Sequence, residues 1–305
     1  MYRGRFAPSP TGPLHHGSLI AALASYLDAK ANQGHWILRI EDIDELRTVD
    51  SAESSILYAL EAHGLQWDER APNQSDRKDR YLAALDQLAQ NNWLFACDCP
   101  RKLLRQIGGV YPGHCRRKTL NSAADSKKLV NCASVRFNSS LATPSIDFED
   151  LIQGRMNYAL DELGDFIVKR RDGLFAYQLA VVVDDQDQNI TDIVRGTDLL
   201  DSTPWQIVLQ KALGFRPSRY LHFPVLVRNG SKLSKQTGAN GVLTDNNACR
   251  RNLLWAMQQL GQTLPTDANA NTTPDVDSLL SYAIENWDRS KIPRSTTLPD
   301  TRLLP

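Results

Sequence analysis

Apolar and polar positions along the first ninety residues follow two alternating rhythms. Tyr2–Ala7 and His35–Ile40 are short apolar-rich runs that read as strands. Between them, Ser18 to Leu27 has the apolar density of a buried helix, with alanines that allow close packing. Ser51 is placed to cap a further helix whose inner face is Ile56, Leu57 and Leu60 and which Gly64 ends. Asp76–Asn91 predicts another, with Tyr81, Leu82, Leu85 and Leu88 inward. From Trp93 to Tyr177 the rhythm is lost among cysteines, basic runs and turn residues. Leu179–Val183 then reads as a strand that restores it, followed by a second strand over Ile190–Val194. Thr203-Pro204-Trp205-Gln206 opens a helix with Thr203 as N-cap, Pro204 at the first position and Gln206 three residues on. A strand over His222–Val227 precedes a Lys/Ser/Gly loop, and the remainder reads as mostly helical with a proline-containing tail.

Strand–helix alternation split by an irregular stretch predicts an α/β protein, a doubly wound parallel sheet of Rossmann type carrying an insertion. The expected division is a first half over 1–92, an inserted subdomain over 93–177, a second half over 178–228 and a helical segment over 229–305. No internal repeat is visible. Thirty-five basic residues balance thirty-five acidic ones, and this zero net charge argues against nucleic-acid binding by bulk electrostatics. It leaves room for the local basic runs Arg116-Arg117-Lys118 and Lys169-Arg170-Arg171 as phosphate contacts. No apolar run approaches the roughly 18–20 residues that cross a bilayer, and Met1–Phe6 does not read as a secretory signal. An odd set of five cysteines is a poor disulfide framework, so a reduced, cytoplasmic protein is expected. Cys132 and Cys249 read as small hydrophobes. Cys97, Cys99 and Cys115 read instead as three ligands of a tetrahedral structural zinc, for which coordination chemistry favours His114 as the fourth.

Two segments far apart in the chain carry nucleotide chemistry. Pro8-Ser9-Pro10-Thr11-Gly12-Pro13-Leu14-His15-His16-Gly17-Ser18 lies between the first strand and the first helix. In a doubly wound sheet that junction faces the ligand crevice, and helix N-termini there bind phosphates. His15 can donate to a phosphate oxygen and Gly17 leaves room for a flat base. Lys232-Leu233-Ser234-Lys235 follows the last predicted strand, and two lysines about a serine suit the charge that grows on a triphosphate during nucleotidyl transfer.

Together these segments resemble the class I aminoacyl-tRNA synthetases, with Ser18 where the commoner residue is His. In that family they grip ATP, which implies His15, Gly17, Ser18, Lys232, Ser234 and Lys235 as ATP-binding residues. His15, Lys232 and Lys235 would be catalytic, with Mg²⁺ accompanying the nucleotide. Arg5-Phe6-Ala7-Pro8-Ser9, Arg39-Ile40-Glu41-Asp42-Ile43-Asp44 and Ile193-Val194-Arg195-Gly196-Thr197-Asp198 are similar to the glutamyl branch. The chemistry suits an acidic amino acid, which needs a cation for each carboxylate and an anion for its ammonium group. The resemblance implies that Arg5 and Arg195 meet carboxylates and that Phe6, Ala7, Pro8 and Ser9 line the site. Glu41 would take the α-ammonium and Tyr177 would contact the ligand.

Ile107–Cys115 resembles the glutamyl-queuosine tRNA(Asp) synthetases, in which a tyrosine at the place of Tyr111 completes the zinc site. The short remainder, Gln236–Pro305, leaves no room for the large helical anticodon reader of ordinary glutamyl-tRNA synthetases. This matches those truncated paralogues, with a short helical stem-contact segment at 229–305. The resemblance therefore implies activation of L-glutamate with ATP without tRNA, then transfer to queuosine at the wobble position of tRNA(Asp). A monomer with no membrane contact is expected. The alternatives are a shortened glutamyl-tRNA synthetase charging the tRNA 3′ end and a non-catalytic RNA-binding paralogue.

Overall fold

A computed structural model of the chain describes residues 1–100, 102–103, 110–228, 231–232, 241–266 and 274–299, with backbone alone at 228, 231 and 232. In chain order the strands are β1 (Arg3–Phe6), β2 (His35–Leu38), β3 (Glu69–Arg70), β4 (Leu94–Cys97), β5 (Ser134–Phe137), β6 (Ser145–Asp150) and β7 (Gly154–Ala159). They continue with β8 (Phe166–Lys169), β9 (Asp192–Gly196), β10 (Arg219–Phe223), β11 (Val225–Arg228), β12 (Ser231–Lys232) and β13 (Thr297–Pro299). The longer helices are α1 (His16–Ala31), α2 (Ala52–Ala62), α3 (Lys78–Gln90), α4 (Tyr177–Asp187), α5 (Thr203–Leu213), α6 (Asn246–Gln259) and α7 (Val276–Glu285).

The central sheet has the order β3-β2-β1-β9-β10-β6-β7. Its neighbours pair in parallel except for the β6–β7 hairpin. Alternation along each strand separates two faces. Phe6, Trp36, Leu38, Val194 and Leu221 pack with Leu19, Leu23 and Leu27 of α1 and with Leu253 of α6 and Leu279 of α7. Ile37, Ile193 and Tyr220 point to the other side. There α3, α4 and α5 share a second core with the small antiparallel sheet β4-β5-β8. Helices thus cover both faces, and no helix among the described residues is long and apolar enough to cross a membrane.

Several expectations are corrected. Leu179–Val183 lies in α4 rather than in a strand, and all five residues are buried. The helix is enclosed by α3, α5 and β8. An apolar run buried on every side carries no period that distinguishes helix from strand. The strand expected over His222–Val227 is two strands, broken at Pro224, which has no N–H to donate to a ladder. Ser51 does occupy the N-cap of α2, but with left-handed backbone (φ 66°) and no side-chain capping bond. Ser202, not Thr203, is the N-cap residue of α5. The stretch expected as an insertion also contributes β6 and β7 to the central sheet, through the Tyr220–Asp150 pairing of β10 with β6.

Leu23 is fully buried where α1 meets the sheet. Leu23→Ala is expected to lower the unfolding free energy by about 2–5 kcal/mol in urea titration, the range for a large-to-small change in a rigid core.

Candidate active site

From β1 the sheet grows through β2 and β3 on one side and through β9 and β10 on the other. Connections leaving adjacent strands in opposite directions open a crevice at the strands' carboxyl ends. A cavity of about 770 Å³ lies there. Its wall is formed by Arg5 to Ser9 at the end of β1, His15, Gly17 and Ser18 at the start of α1, and Glu41 after β2. Tyr177 from α4, Arg195 from β9 and Phe223 to Leu226 complete it. Every glutamate- and ATP-site residue expected from the sequence whose side chain is described therefore lines one cavity. The side chain of Lys232, and Ser234 and Lys235 entirely, lie outside the described residues. Backbone on both flanks of that segment reaches the same wall. Lys232 pairs with Val227, and Gly241 bridges His15.

His15 is the N-cap residue of α1, and its Nδ1 accepts the Ser18 N–H at 3.2 Å. Ser18 Oγ lies 3.0 Å from His15 Nε2. The serine at this position thus holds the imidazole at the helix N-terminus, where the first N–H groups favour anions.

The charged wall rests on a buried network. Arg39 has no solvent exposure. Its Nη1 donates to Asp185 Oδ1 and to Gln188 Oε1, both at 2.8 Å, and its Nη2 donates to Glu41 Oε1 at 3.2 Å. Arg5 Nε meets the same Asp185 oxygen at 3.2 Å. Burial pushes the Asp185 carboxyl up, yet Arg5 and Arg39 outweigh it and hold it below the usual carboxylate range. Burial also pushes the Glu41 carboxyl up, and here the pull of Arg39 and Arg5 does not fully offset it. Tyr177 is likewise raised by burial, with Arg195, Glu41 and Arg5 acting on its hydroxyl.

Arg195 is bound differently. It is 5% exposed, and its guanidinium donates to His222 Nε2 (2.9 Å), Gln206 Oε1 (2.8 Å), Thr203 Oγ1 (2.9 Å) and the Leu199 carbonyl (3.4 Å). All four acceptors are uncharged groups, and among the described residues Arg195 has no ion pair with Asp184 or Asp185. His222, Thr203 and Gln206 escaped the sequence reading as site residues. The signal for His222 is its register partnership with Arg195 across β9 and β10, which one sequence does not display.

At the far end of β4 the Sγ atoms of Cys97, Cys99 and Cys115 lie within 4.8 Å of one another. The Tyr111 hydroxyl is 3.9 Å from Cys99 Sγ and accepts the Cys115 N–H at 2.7 Å. His114 is exposed and stands outside the cluster. Burial and the Cys115 hydrogen bond push the Cys99 thiol up to about 11. Among the basic runs, Arg116 pairs with Asp165, Arg170 with Asp44 and Asp172, and buried Lys169 donates to Ser126. Lys169 is thereby buried where no phosphate reaches it, a correction to its expected role, while Arg116 and Arg170 are ion-paired and partly exposed.

Residues 1–287 match the family model of class I tRNA synthetases (E and Q), catalytic domain, and the chain belongs to that family. It is 45% identical over 306 aligned residues to the glutamyl-Q tRNA(Asp) synthetase of Pseudomonas fluorescens, covering 99% of this chain and 97% of that one. It is 43% identical to the protein of the same name from Vibrio vulnificus, over 96% and 92% of the two chains. A crystal structure of glutamate-tRNA synthetase from Elizabethkingia anophelis superposes with a TM-score of 0.77 at 28% identity, over 98% of this chain and 68% of that one.

The raised Glu41 carboxyl has a consequence for stability. Its folded pKa lies above its unfolded one, so the native state binds that proton more readily and ionised Glu41 subtracts from stability at neutral pH. Below the ordinary carboxylate range, about pH 4, both states are protonated and the penalty vanishes. Glu41→Gln is expected to raise the unfolding free energy at pH 7, with the gain fading as the pH falls towards 4 in urea titrations.

Proposed function

We propose that this protein activates L-glutamate with ATP and transfers it to queuosine at the wobble position of tRNA(Asp). The observation that carries the reading is one cavity holding a guanidinium without a carboxylate partner among the described residues, a carboxylate paired with buried Arg39 and a helix N-terminus. An amino acid with two carboxylates beside a triphosphate matches those three features. The near full-length match to glutamyl-Q tRNA(Asp) synthetases favours the queuosine acceptor over the tRNA 3′ end.

In this scheme Arg5 and Arg195 attract the two carboxylates and Glu41 takes the α-ammonium. Phe6, Ala7, Pro8, Ser9 and Tyr177 shape the pocket around them. An oxygen of the α-carboxylate attacks the α-phosphorus of ATP, the α–β phosphoanhydride bond breaks and pyrophosphate leaves. His15 and the helix N-terminus, together with Lys232, Ser234 and Lys235, stabilise the charge that develops on the phosphates. Gly17 and Ser18 line the nucleotide side, where Mg²⁺ accompanying ATP would neutralise phosphate charge. A hydroxyl of queuosine's cyclopentenediol then attacks the acyl carbon and displaces AMP. No side chain is assigned as general base, and positioning carries the rate.

The cysteine cluster fits a structural zinc. Tetrahedral Zn–S bonds of about 2.3 Å place sulfurs about 3.8 Å apart. The three Sγ atoms already approach that spacing, and the Tyr111 hydroxyl rather than exposed His114 supplies the fourth donor. Bound there, the metal would cross-link β4 to the Tyr111–Cys115 loop and brace the small β4-β5-β8 sheet. Purified protein is expected to hold one zinc per chain, Cys99→Ser to lose it, and chelation to lower the melting temperature. Protein purified with no stoichiometric zinc would remove the site.

The function is tested by glutamate-dependent ATP–pyrophosphate exchange without tRNA, followed by glutamate transfer to tRNA(Asp) with and without queuosine. Exchange without tRNA and transfer only to the queuosine-bearing form are expected. Glutamate lost on oxidation of the tRNA 3′ end would instead establish ordinary charging. Arg195→Gln is expected to raise the KM for glutamate by at least ~10-fold, the scale of a charge-assisted hydrogen bond, with the KM for ATP little changed.

A further inference from the structure

Behind Arg195 lies a chain of side chains that never reaches the cavity. Asp150, at the end of β6, is 1% exposed, and His222, on β10, is fully buried. Asp150 Oδ2 lies 2.6 Å from His222 Nδ1, and His222 Nε2 lies 2.9 Å from Arg195 Nε. An arginine Nε–H only donates, so His222 Nε2 is an acceptor, a role that the Thr203 hydroxyl 3.3 Å away also permits, and the ring proton sits on Nδ1, facing Asp150. Asp150 is itself oriented. Its Oδ1 accepts the backbone N–H groups of Ile152 (3.0 Å), Gln153 (2.9 Å) and His222 (3.3 Å), which leaves Oδ2 alone for the imidazole.

We infer that Asp150 and His222 are positioning residues for glutamate recognition: the carboxylate fixes the tautomer that lets His222 accept from Arg195 and so aims the guanidinium into the substrate cavity. The inference rests on Arg195 being a ligand of a substrate carboxylate. It explains why the guanidinium's own acceptors are all uncharged. A carboxylate in direct contact would take its bidentate face and cancel the attraction for substrate. Setting Asp150 one imidazole away balances the buried positive charge without occupying that face. Nε, one Nη1 hydrogen and Nη2 have protein acceptors, and a second Nη1 hydrogen has none among the described residues. Burial and Arg195 push His222 down to about 4, consistent with a neutral ring that accepts.

Asp150→Asn separates tautomer control from mere packing. The three backbone N–H groups around Oδ1 require the amide oxygen there, so the new –NH2 must face His222 Nδ1. Nδ1 then has to accept, the ring proton moves to Nε2, and two N–H groups confront each other at Arg195. The expected result is a rise of ~10–100-fold in the KM for glutamate in pyrophosphate exchange, the scale of a hydrogen bond to a charged group, with the KM for ATP within about twofold of wild type. The ¹⁵N spectrum of histidine-labelled protein, with His222 assigned by its loss in His222→Gln, reads the tautomer directly. It should be Nδ1–H in the wild type and Nε2–H in Asp150→Asn.

In a His222→Gln background the amide oxygen accepts from Arg195 whatever occupies position 150, so Asp150→Asn should there cost less than about threefold. An Nε2-protonated His222 in the wild type would overturn the inference, as would an equal cost of Asp150→Asn in both backgrounds. The wild-type spectrum decides the matter even if the variant does not fold. If Arg195→Gln raises the KM for glutamate while Asp150→Asn does not, the tautomer device fails and the substrate reading stands. If Arg195→Gln leaves that KM unchanged, the substrate reading itself fails.

Discussion

The buried Arg39 guanidinium is the interaction on which the architecture of the site depends. It follows β2, has no exposure, and binds Asp185 and Gln188 at the end of α4 and Glu41 on its own strand's extension. Through Asp185 it is joined to Arg5 on β1. The network therefore ties β1 and β2 to α4 beneath them. Burying such charges has a large desolvation cost, and removing Asp185, the carboxylate that Arg39 and Arg5 share, would leave uncompensated charge in the interior. The network consequently holds the carboxyl ends of β1 and β2 in one arrangement, and Glu41 is carried into the cavity wall with them.

Two arginines in the same wall are treated in opposite ways. Arg5 meets a carboxylate, whereas Arg195 meets an imidazole, an amide, a hydroxyl and a carbonyl. The first shares the Asp185 carboxylate with Arg39, and the second has no carboxylate partner among the described residues. That contrast gives the cavity a polarity which a count of basic residues cannot express. It also explains how a chain of zero net charge recognises an acidic substrate: the sum says nothing about which charges are already paired.

Much of this was legible in the residues. The strands and helices of the first ninety residues and the segments at Arg5–Ser9, His15–Ser18, Glu41 and Arg195 stand where the fold needs them, because local periodicity and short motifs are written in consecutive positions. The misreadings are equally physical. Leu179–Val183 is apolar throughout and ends in three β-branched valines, so propensity points to a strand, while enclosure by α3, α5 and β8 selects a helix. Lys169 and Arg170 look like solvated basic residues, yet one is buried and the other is ion-paired to Asp44 and Asp172.

The α/β class, the family, the three clustered thiols and the charged residues of the cavity wall such as Arg5, Glu41 and Arg195 are legible in the residues alone. Each of these depends on residue type and spacing along the chain. Which charge meets which partner is set by packing between distant segments. Asp150, Arg195 and His222 come from β6, β9 and β10, and they touch because parallel pairing brings those strands side by side. Likewise Tyr111, not His114, stands within reach of the thiols because the intervening turn points the imidazole to solvent. Hydrogen bonds and ion pairs act over about 3–4 Å, and separation on that scale is set by packing between distant segments rather than by any local pattern.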